Sequence, residues 1–495
     1  VIENRAPLPP LPLVLWEVPP GLELALGQEG VPFTVVREPN PLALLAGRHV
    51  LYDGKKVSSG RLRSMLTPGH VAIDVDLFRR GEAIDPFRAL VDDLPAPGVW
   101  ELENLSVVER ISRHPKARIR TRLVERLRRM ILDAGGIWAR LAPFPFPYRS
   151  AFNLRIDLDE PAPDDYRRFA QARRAIDDAT THFLCTDAYQ HLPSVIADLK
   201  GLDVQSHGHY HFVYRDPEAN RRNVARAREV LRELGFEPEG FAGPHGRWNV
   251  GLDRALEAER IRYSSDFQLG YDDRPFFPWR GDGFSPVLQV PVHPICEGAI
   301  LEAGGDAEAV ANHLVRAVQA KVDAGEPAFV YGHPERRLGR HPEIVGRLAA
   351  EVARLSLVWR VTLTEFARWW RWRAAQRFTV VSRGEQRFEV QFDDWEGLYP
   401  LGLEVVRGRH VALIPLQGPM TSFELGALVY ERRSDRVDLP TPTVGRKRGG
   451  IKAAVRSALD WETVTPVSEL PSDSFSGLLK RELRRWKQKE RIRQD

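Results

Sequence analysis

At 495 residues the chain is long enough for about three domains of roughly 150 residues each. Hydrophobic residues at 43% and charged residues at 28% exclude wholesale disorder, a collagen-like repeat and a disulfide scaffold. The formal net charge of +4 is concentrated in residues 478–495, where eight Lys or Arg face three acids; the rest sums close to neutral, which excludes a protein that engages nucleic acid over its whole surface. No run approaches the roughly 18 consecutive apolar residues of a membrane span. Cys185 and Cys296 lie in apolar surroundings and read as free buried thiols, so a cytoplasmic location is expected. The first residue is Val1 rather than Met, which leaves a removed leader open.

Residues 1–147 read as a Rossmann-like or flavodoxin-like α/β domain. An apolar run at 11–18, a helical segment at 21–26 and a second apolar run at 32–36 follow the order of a parallel strand–helix–strand unit. Strand signals recur at 49–52 and 70–75. Neither G-x-G-x-x-G after the first strand nor a Walker lysine motif is present, so no nucleotide site is expected. A basic amphipathic helix at 118–134, with Leu123, Leu127 and Ile131 at helical spacing, closes the domain, and Pro143, Pro145 and Pro147 mark a stiff linker.

Residues 148–376 alternate short strands, at 152–156, 182–185, 203–205, 262–264, 328–331 and 359–363, with helices such as 220–234 and 306–324. This is the rhythm of a barrel or a doubly wound sheet. Thr362 and Glu365 form a capping box for a helix running through Trp372. Its Trp369, Trp370 and Trp372, interleaved with Arg368, Arg371 and Arg373, read as packing against the next domain in preference to a sugar-stacking platform. Residues 377–435 change to period two. Phe388, Val390 and Phe392, then Leu403, Val405, Val411 and Leu413 around Gly408, predict a small antiparallel, sandwich-like β domain. Residues 436–495 read as a linker and a basic C-terminal helix. That helix is a candidate for anionic lipid or an acidic partner, although its partial apolar stripe fits a merely solvated helix better.

The chemistry concentrates in the middle region. Six of the fourteen histidines (His207, His209, His211, His245, His293 and His333) lie at or near expected strand ends. On a helical turn His207 and His211 would be i and i+4 and share one face, so both imidazoles could ligate one metal. Asp157 and Asp159, at the end of the first strand of this region, offer one oxygen ligand and one proton acceptor. Two imidazoles and a carboxylate with open positions suit hydrolysis by a divalent ion. The plainer readings are a surface histidine cluster and two helix-capping aspartates. His333, followed by Pro334, could equally mark a turn, and His293 could line the pocket or satisfy a hydrogen bond in the core.

These residues resemble the polysaccharide deacetylases of the NodB-homology type, carbohydrate esterase family 4, over about residues 148–376. The resemblance implies a distorted (β/α) barrel in which Asp157 is the catalytic base and Asp159, His207 and His211 hold a divalent metal, most often zinc. The family's Arg-x-Pro-aromatic-Gly motif is matched by Ala242-Gly243-Pro244-His245-Gly246, without its arginine; Arg155 or Arg247 could stand in. The backbone N–H of His245 would serve as an oxyanion donor, His333 as general acid, and Asp266 as the residue that orients His333. Pro244, Gly246, Arg247 and His293 are expected around the substrate. The activity implied is removal of an N-acetyl or related acyl group from an amino sugar, glycan or glycan precursor. The alternatives are another C–N amide, or a degenerate barrel that binds carbohydrate or acts as a scaffold.

Overall fold

Four short parallel strands open the chain: β1 (Leu13–Trp16), β2 (Phe33–Val36), β3 (His49–Tyr52) and β4 (Val71–Asp74), in the order β2-β1-β3-β4. They belong to a computed structural model that describes residues 12–444, apart from 38–40, 68, 215, 385 and 433–438, together with residue 482. β1 and β3 are buried along their whole length, as continuous apolar runs inside a parallel sheet should be. The basic tail helix and most of the proposed linker lie outside the described residues.

A hairpin follows that the sequence did not announce. Its strands β5 (Pro95–Leu102) and β6 (Leu105–Ser112) pair in antiparallel register. The helix Lys116–Asp133 then presents Leu123, Leu127 and Ile131 to the core, as expected from their spacing. β7 (Trp138–Leu141) leaves this region and pairs with a strand near the other end of the chain. The parts are joined by a buried ionic cluster. Glu29 accepts from Arg120 and pairs with Arg140, and it lies 3.1 Å from Arg274, whose Nε is 3.0 Å from Glu326. Each buried charge has a partner, which is the condition for placing charge there at all.

The middle of the chain forms one parallel eight-stranded sheet: β8 (Ser150–Leu158), β9 (Thr180–Leu184), β10 (Asp203–Ser206), β11 (Gly240–Phe241), β12 (Tyr263–Ser264), β13 (Leu288–Gln289), β14 (Ala328–Gly332) and β15 (Val358–Arg360). The order β13-β12-β11-β10-β9-β8-β14, with β15 also on β8, gives a distorted (β/α) barrel. At its seam the backbone N–H of His293 reaches the carbonyl of Phe329 at 2.8 Å. Because all strands run the same way, the ends of β8, β10 and β14 meet at one face, where such sheets carry their chemistry.

The helix Leu363–Ala375 starts where the capping box predicts, with Glu365 N–H donating to the Thr362 hydroxyl at 3.2 Å. Its tryptophans are packing residues. Trp369 and Trp372 meet the Tyr399 ring at 5.5 and 5.4 Å, and Trp369 Nε1 donates to the Pro143 carbonyl. Beyond it, β16 (Phe378–Ser382), β17 (Arg387–Phe392), β18 (Leu401–Arg407), β19 (His410–Leu416), β20 (Met420–Glu424) and β21 (Glu431–Arg432) build two antiparallel sheets, β16-β17-β20 and β21-β19-β18-β7. β22 (Thr443–Val444) adds to β5. Among the described residues, no helix is long and apolar enough to cross a membrane.

Candidate active site

β8 is a nine-residue strand buried throughout, and it delivers the first half of the site. Residues two apart on a strand share a face, so Arg155 and Asp157 point the same way, and Asp159 follows just past the strand end. β10 delivers the second half, with His207 directly after Ser206. His207 Nε2 and His211 Nε2 approach Asp159 Oδ1 at 3.1 and 3.2 Å, and the two rings lie 4.9 Å apart. His207 Nδ1 is 2.7 Å from the Ala242 carbonyl, so it carries the proton and leaves the Nε2 lone pair facing Asp159.

The His207–His211 spacing works differently from expectation. The segment after β10 is a loop, not a helical turn. Gly208 takes φ +86, where a Cβ would also come within 2.7 Å of the Tyr210 carbonyl oxygen. The loop is pinned by Asn223, whose side chain accepts from Tyr210 N–H at 2.8 Å and donates to the carbonyls of Tyr210 and Phe212, both at 3.1 Å. His209 turns away to the Thr186 hydroxyl, 2.9 Å from its Nδ1.

Asp159, His207 and His211 have the donor set and spacing of a metal site. Asp159 Oδ1 and His211 Nε2 are buried yet make no hydrogen bond, the pattern of ligand atoms disposed around an ion. Burial alone would raise the pKa of Asp159, but in the absence of an ion the protonated forms of the His211 and His207 imidazoles outweigh it and hold the carboxyl well below its ordinary value.

Asp157 is backed by Arg155. Arg155 Nε donates to Asp157 Oδ1 at 2.7 Å and a second guanidinium nitrogen donates to Oδ2, a bidentate fork. The guanidinium is fully buried between the rings of Tyr331 and Phe183, at 5.2 and 5.3 Å. Of the two candidate arginines, Arg155 is the one seen against Asp157, two residues before it on the same strand. Burial raises the pKa of Asp157, but Arg155 and then His207 overcome it, leaving it lowered.

His333 follows β14. Its Nε2 lies 3.7 Å from Asp159 Oδ2, and its Nδ1 and backbone N–H reach Glu297 Oε1 at 2.8 and 3.0 Å. Arg337 also comes within 3.0 Å of Nδ1, but a protonated Nδ1 cannot accept from it; the shorter contact with a fully buried carboxylate sets the tautomer. Burial would lower the pKa of His333, and Glu297 more than reverses this, placing it well above its ordinary value. Glu297 carried no sequence signal beyond an acid in the first turn of a helix.

The expected role of Asp266 is therefore corrected. Its Oδ1 accepts from Gly243 N–H at 2.6 Å and its Oδ2 from the Ser264 hydroxyl, so it fastens the Pro244-His245-Gly246 turn instead of orienting His333. Burial, opposed by those two donors, pushes its pKa up to about 7. In that turn His245 adopts φ +57, and its ring stands 5.0 Å from His211. Of the two readings of His293, the hydrogen bond in the core holds and the place around the substrate does not: it pairs with Asp272 at 3.0 Å and His313 at 2.9 Å, away from the residues that line the cleft.

These groups open on a cleft of about 1060 Å³. Asp157, Asp159, His207, His211, His245 and His333 line it, as does Gly246; Pro244, Arg247 and His293 do not.

The chain is similar to solved polysaccharide deacetylases. It matches a Mycobacterium smegmatis protein described as one at 19% identity and a TM-score of 0.41, over 46% of this chain and 93% of that one. A Pseudomonas aeruginosa PAO1 protein described in the same way matches at 18% and 0.39, over 46% and 93%. The family 4 carbohydrate esterase of Streptomyces lividans, in complex with acetate, matches at 15% and 0.31, over 43% and 91%. No family model and no curated protein matches the chain.

Chemically, the arrangement offers two imidazoles and a carboxylate as ion ligands, an ionised carboxylate beside them, and an imidazolium on the same cleft. That is the equipment for adding water to a carbonyl and protonating what leaves.

Proposed function

We propose that this protein is a metal-dependent hydrolase that removes an N-acetyl or related acyl group from an amino sugar, a glycan or a glycan precursor. The observation that carries this reading is the convergence of Asp159, His207 and His211, flanked by the Arg155–Asp157 and His333–Glu297 pairs, on one cleft. Zinc suits two neutral imidazoles and a carboxylate. The chemistry a divalent ion supplies there is polarisation of the acyl carbonyl and acidification of water.

The protein's own groups do the rest. Asp157, held ionised and oriented by Arg155, takes a proton from the attacking water. The backbone N–H of His245 would donate to the oxygen that gains charge. His333, kept protonated by Glu297, gives its Nε2 proton to the departing nitrogen. Phe212, on the cleft wall, would supply an aromatic contact to a sugar ring. The two buried free cysteines suit a reducing, cytoplasmic setting.

The test is acetate release from N-acetylglucosamine oligomers by the purified, zinc-loaded protein, compared with H207A. Release that depends on His207 supports the reading. Release unaffected by H207A, or none with the metal bound, overturns it.

A further inference from the structure

The hairpin β5–β6 precedes the barrel in sequence, yet it builds one wall of the barrel's cleft through Ser106, Val108 and Glu109. It is firmly seated. Ser112 N–H donates to the Phe267 carbonyl at 3.4 Å, Trp100 meets Tyr271 edge-on at 6.3 Å, and Leu105 packs so closely on Gly305 that a Cβ there would lie 2.9 Å from it.

Along β6, Val107 and Ile111 are completely buried, and Glu109 occupies the inward position between them. Glu109 itself is only half-buried, so its carboxylate gives up part of its hydration without gaining a cationic partner. Its one hydrogen bond comes from the backbone N–H of the next residue, Arg110, at 2.7 Å, and among the described residues no Lys, Arg or His nitrogen lies within 4.0 Å of it. The charges that act on it across the cleft are Glu302 and His333. Burial, eased by the Arg110 N–H, worsened by Glu302 and eased again by His333, pushes its pKa up to about 7. Beyond the Arg110 N–H, no group among the described residues bonds this carboxylate, and it faces the same cleft as the His333 imidazole.

We propose that Glu109 is a specificity-determining residue on the leaving-group side of the cleft, where its carboxyl group receives a hydrogen-bond-donating substituent, hydroxyl or ammonium, of the amino sugar. This rests on the deacylase reading for the identity of the ligand. The region before the barrel is thereby part of the substrate site.

The experiment uses the full-length, zinc-loaded protein, E109Q and E109L. Calorimetric titration with the glucosamine trimer and with its fully N-acetylated counterpart is paired with acetate-release kinetics. E109Q is expected to weaken trimer binding and raise KM by about tenfold or more, with kcat changed by less than about threefold. A larger loss for the glucosamine trimer identifies an ammonium, and equal losses identify a hydroxyl. E109L is expected to match or exceed the wild-type Tm, which a structural role for the carboxylate would not allow. Binding and KM of E109Q equal to wild type overturn the Glu109 assignment and leave the deacylase reading standing. Glu109-dependent trimer binding without acetate release does the reverse, and a wild-type protein that binds neither trimer overturns both.

Discussion

Arg155 and Asp157 lie two residues apart on one face of β8, and the guanidinium of the first clasps both carboxylate oxygens of the second. Both partners of the clasp come from the same strand. A third Arg155 contact, to the Ser265 carbonyl at 2.5 Å, ties it to the loop after β12. The aspartate is therefore both oriented and kept ionised in a place where burial alone would protonate it.

R155Q should separate these roles. Asp157 has a lowered folded pKa, so its pairing stabilises the protein above its unfolded value of about 3.9 and is lost as pH falls through the folded one. Without Arg155 the pKa of Asp157 rises, and the acid limb of kcat/KM moves to higher pH. Leaving the buried carboxylate alone should cost about 3–5 kcal/mol in urea unfolding. R155K, which keeps charge but not the fork, should fall between.

Asp159, His207 and His211 should together bind one divalent ion per chain, as read by elemental analysis. A chelator should lower the Tm, because the ion binds only the folded arrangement. H211A should weaken ion binding by more than about 100-fold, beyond the loss typical of an outer-sphere partner. Retention of a full equivalent of tightly held ion by H211A would show that the ligands lie elsewhere.

Glu297 and Asp266 make opposite predictions. Glu297 raises the pKa of His333, which extends the protonated, proton-donating form to higher pH. E297Q should move the alkaline limb of kcat/KM to lower pH and reduce activity above pH 7 by about tenfold or more. D266N should leave that limb in place, because Asp266 holds the turn at Gly243 and touches no part of His333. A shift in the alkaline limb with D266N and none with E297Q would reverse the assignment.

Lys116 sits buried under the Phe276 ring, its ammonium 5.6 Å from the ring centre. Burial, opposed by Asp92, Asp273 and Asp93, lowers its pKa to about 8. The folded state thus holds this proton less tightly than the unfolded chain, so stability should rise between about pH 8 and pH 10.4. K116M should gain up to about 3 kcal/mol at pH 7 and lose that rise, as measured by denaturant titration at several pH values.

Legibility followed the range of the interactions. β1, β3, β8 and the helix Lys116–Asp133 carry their own patterns, apolar runs or a 3.6 period, and could be read in place. The hairpin β5–β6 could not, because Pro95, Pro97 and Gly98 in one strand and Glu109 and Arg110 in the other mask its alternation. β11 and β13 are two residues each, exist only because their neighbours pair with them and left no readable pattern, whereas the equally short β12 falls within the strand read at 262–264. The reading of His207 and His211 picked two imidazoles that do converge on Asp159, but through the wrong local geometry, since a glycine at positive φ bends a loop where a helical turn was expected.

The residue types at Asp157, Asp159, His207, His211 and His333, and their order along the chain, are properties of the sequence alone, because ligand chemistry depends on the side chain and strand ends announce themselves locally. Which acid holds His333, whether Asp266 reaches it, where His293 ends up, and that Glu109 joins the cleft were decided by tertiary structure. Glu297 lies 36 residues before His333, and Glu109 lies on a hairpin outside the barrel. Contacts of that kind depend on how strands and loops stack in space, and no periodicity within either segment records them.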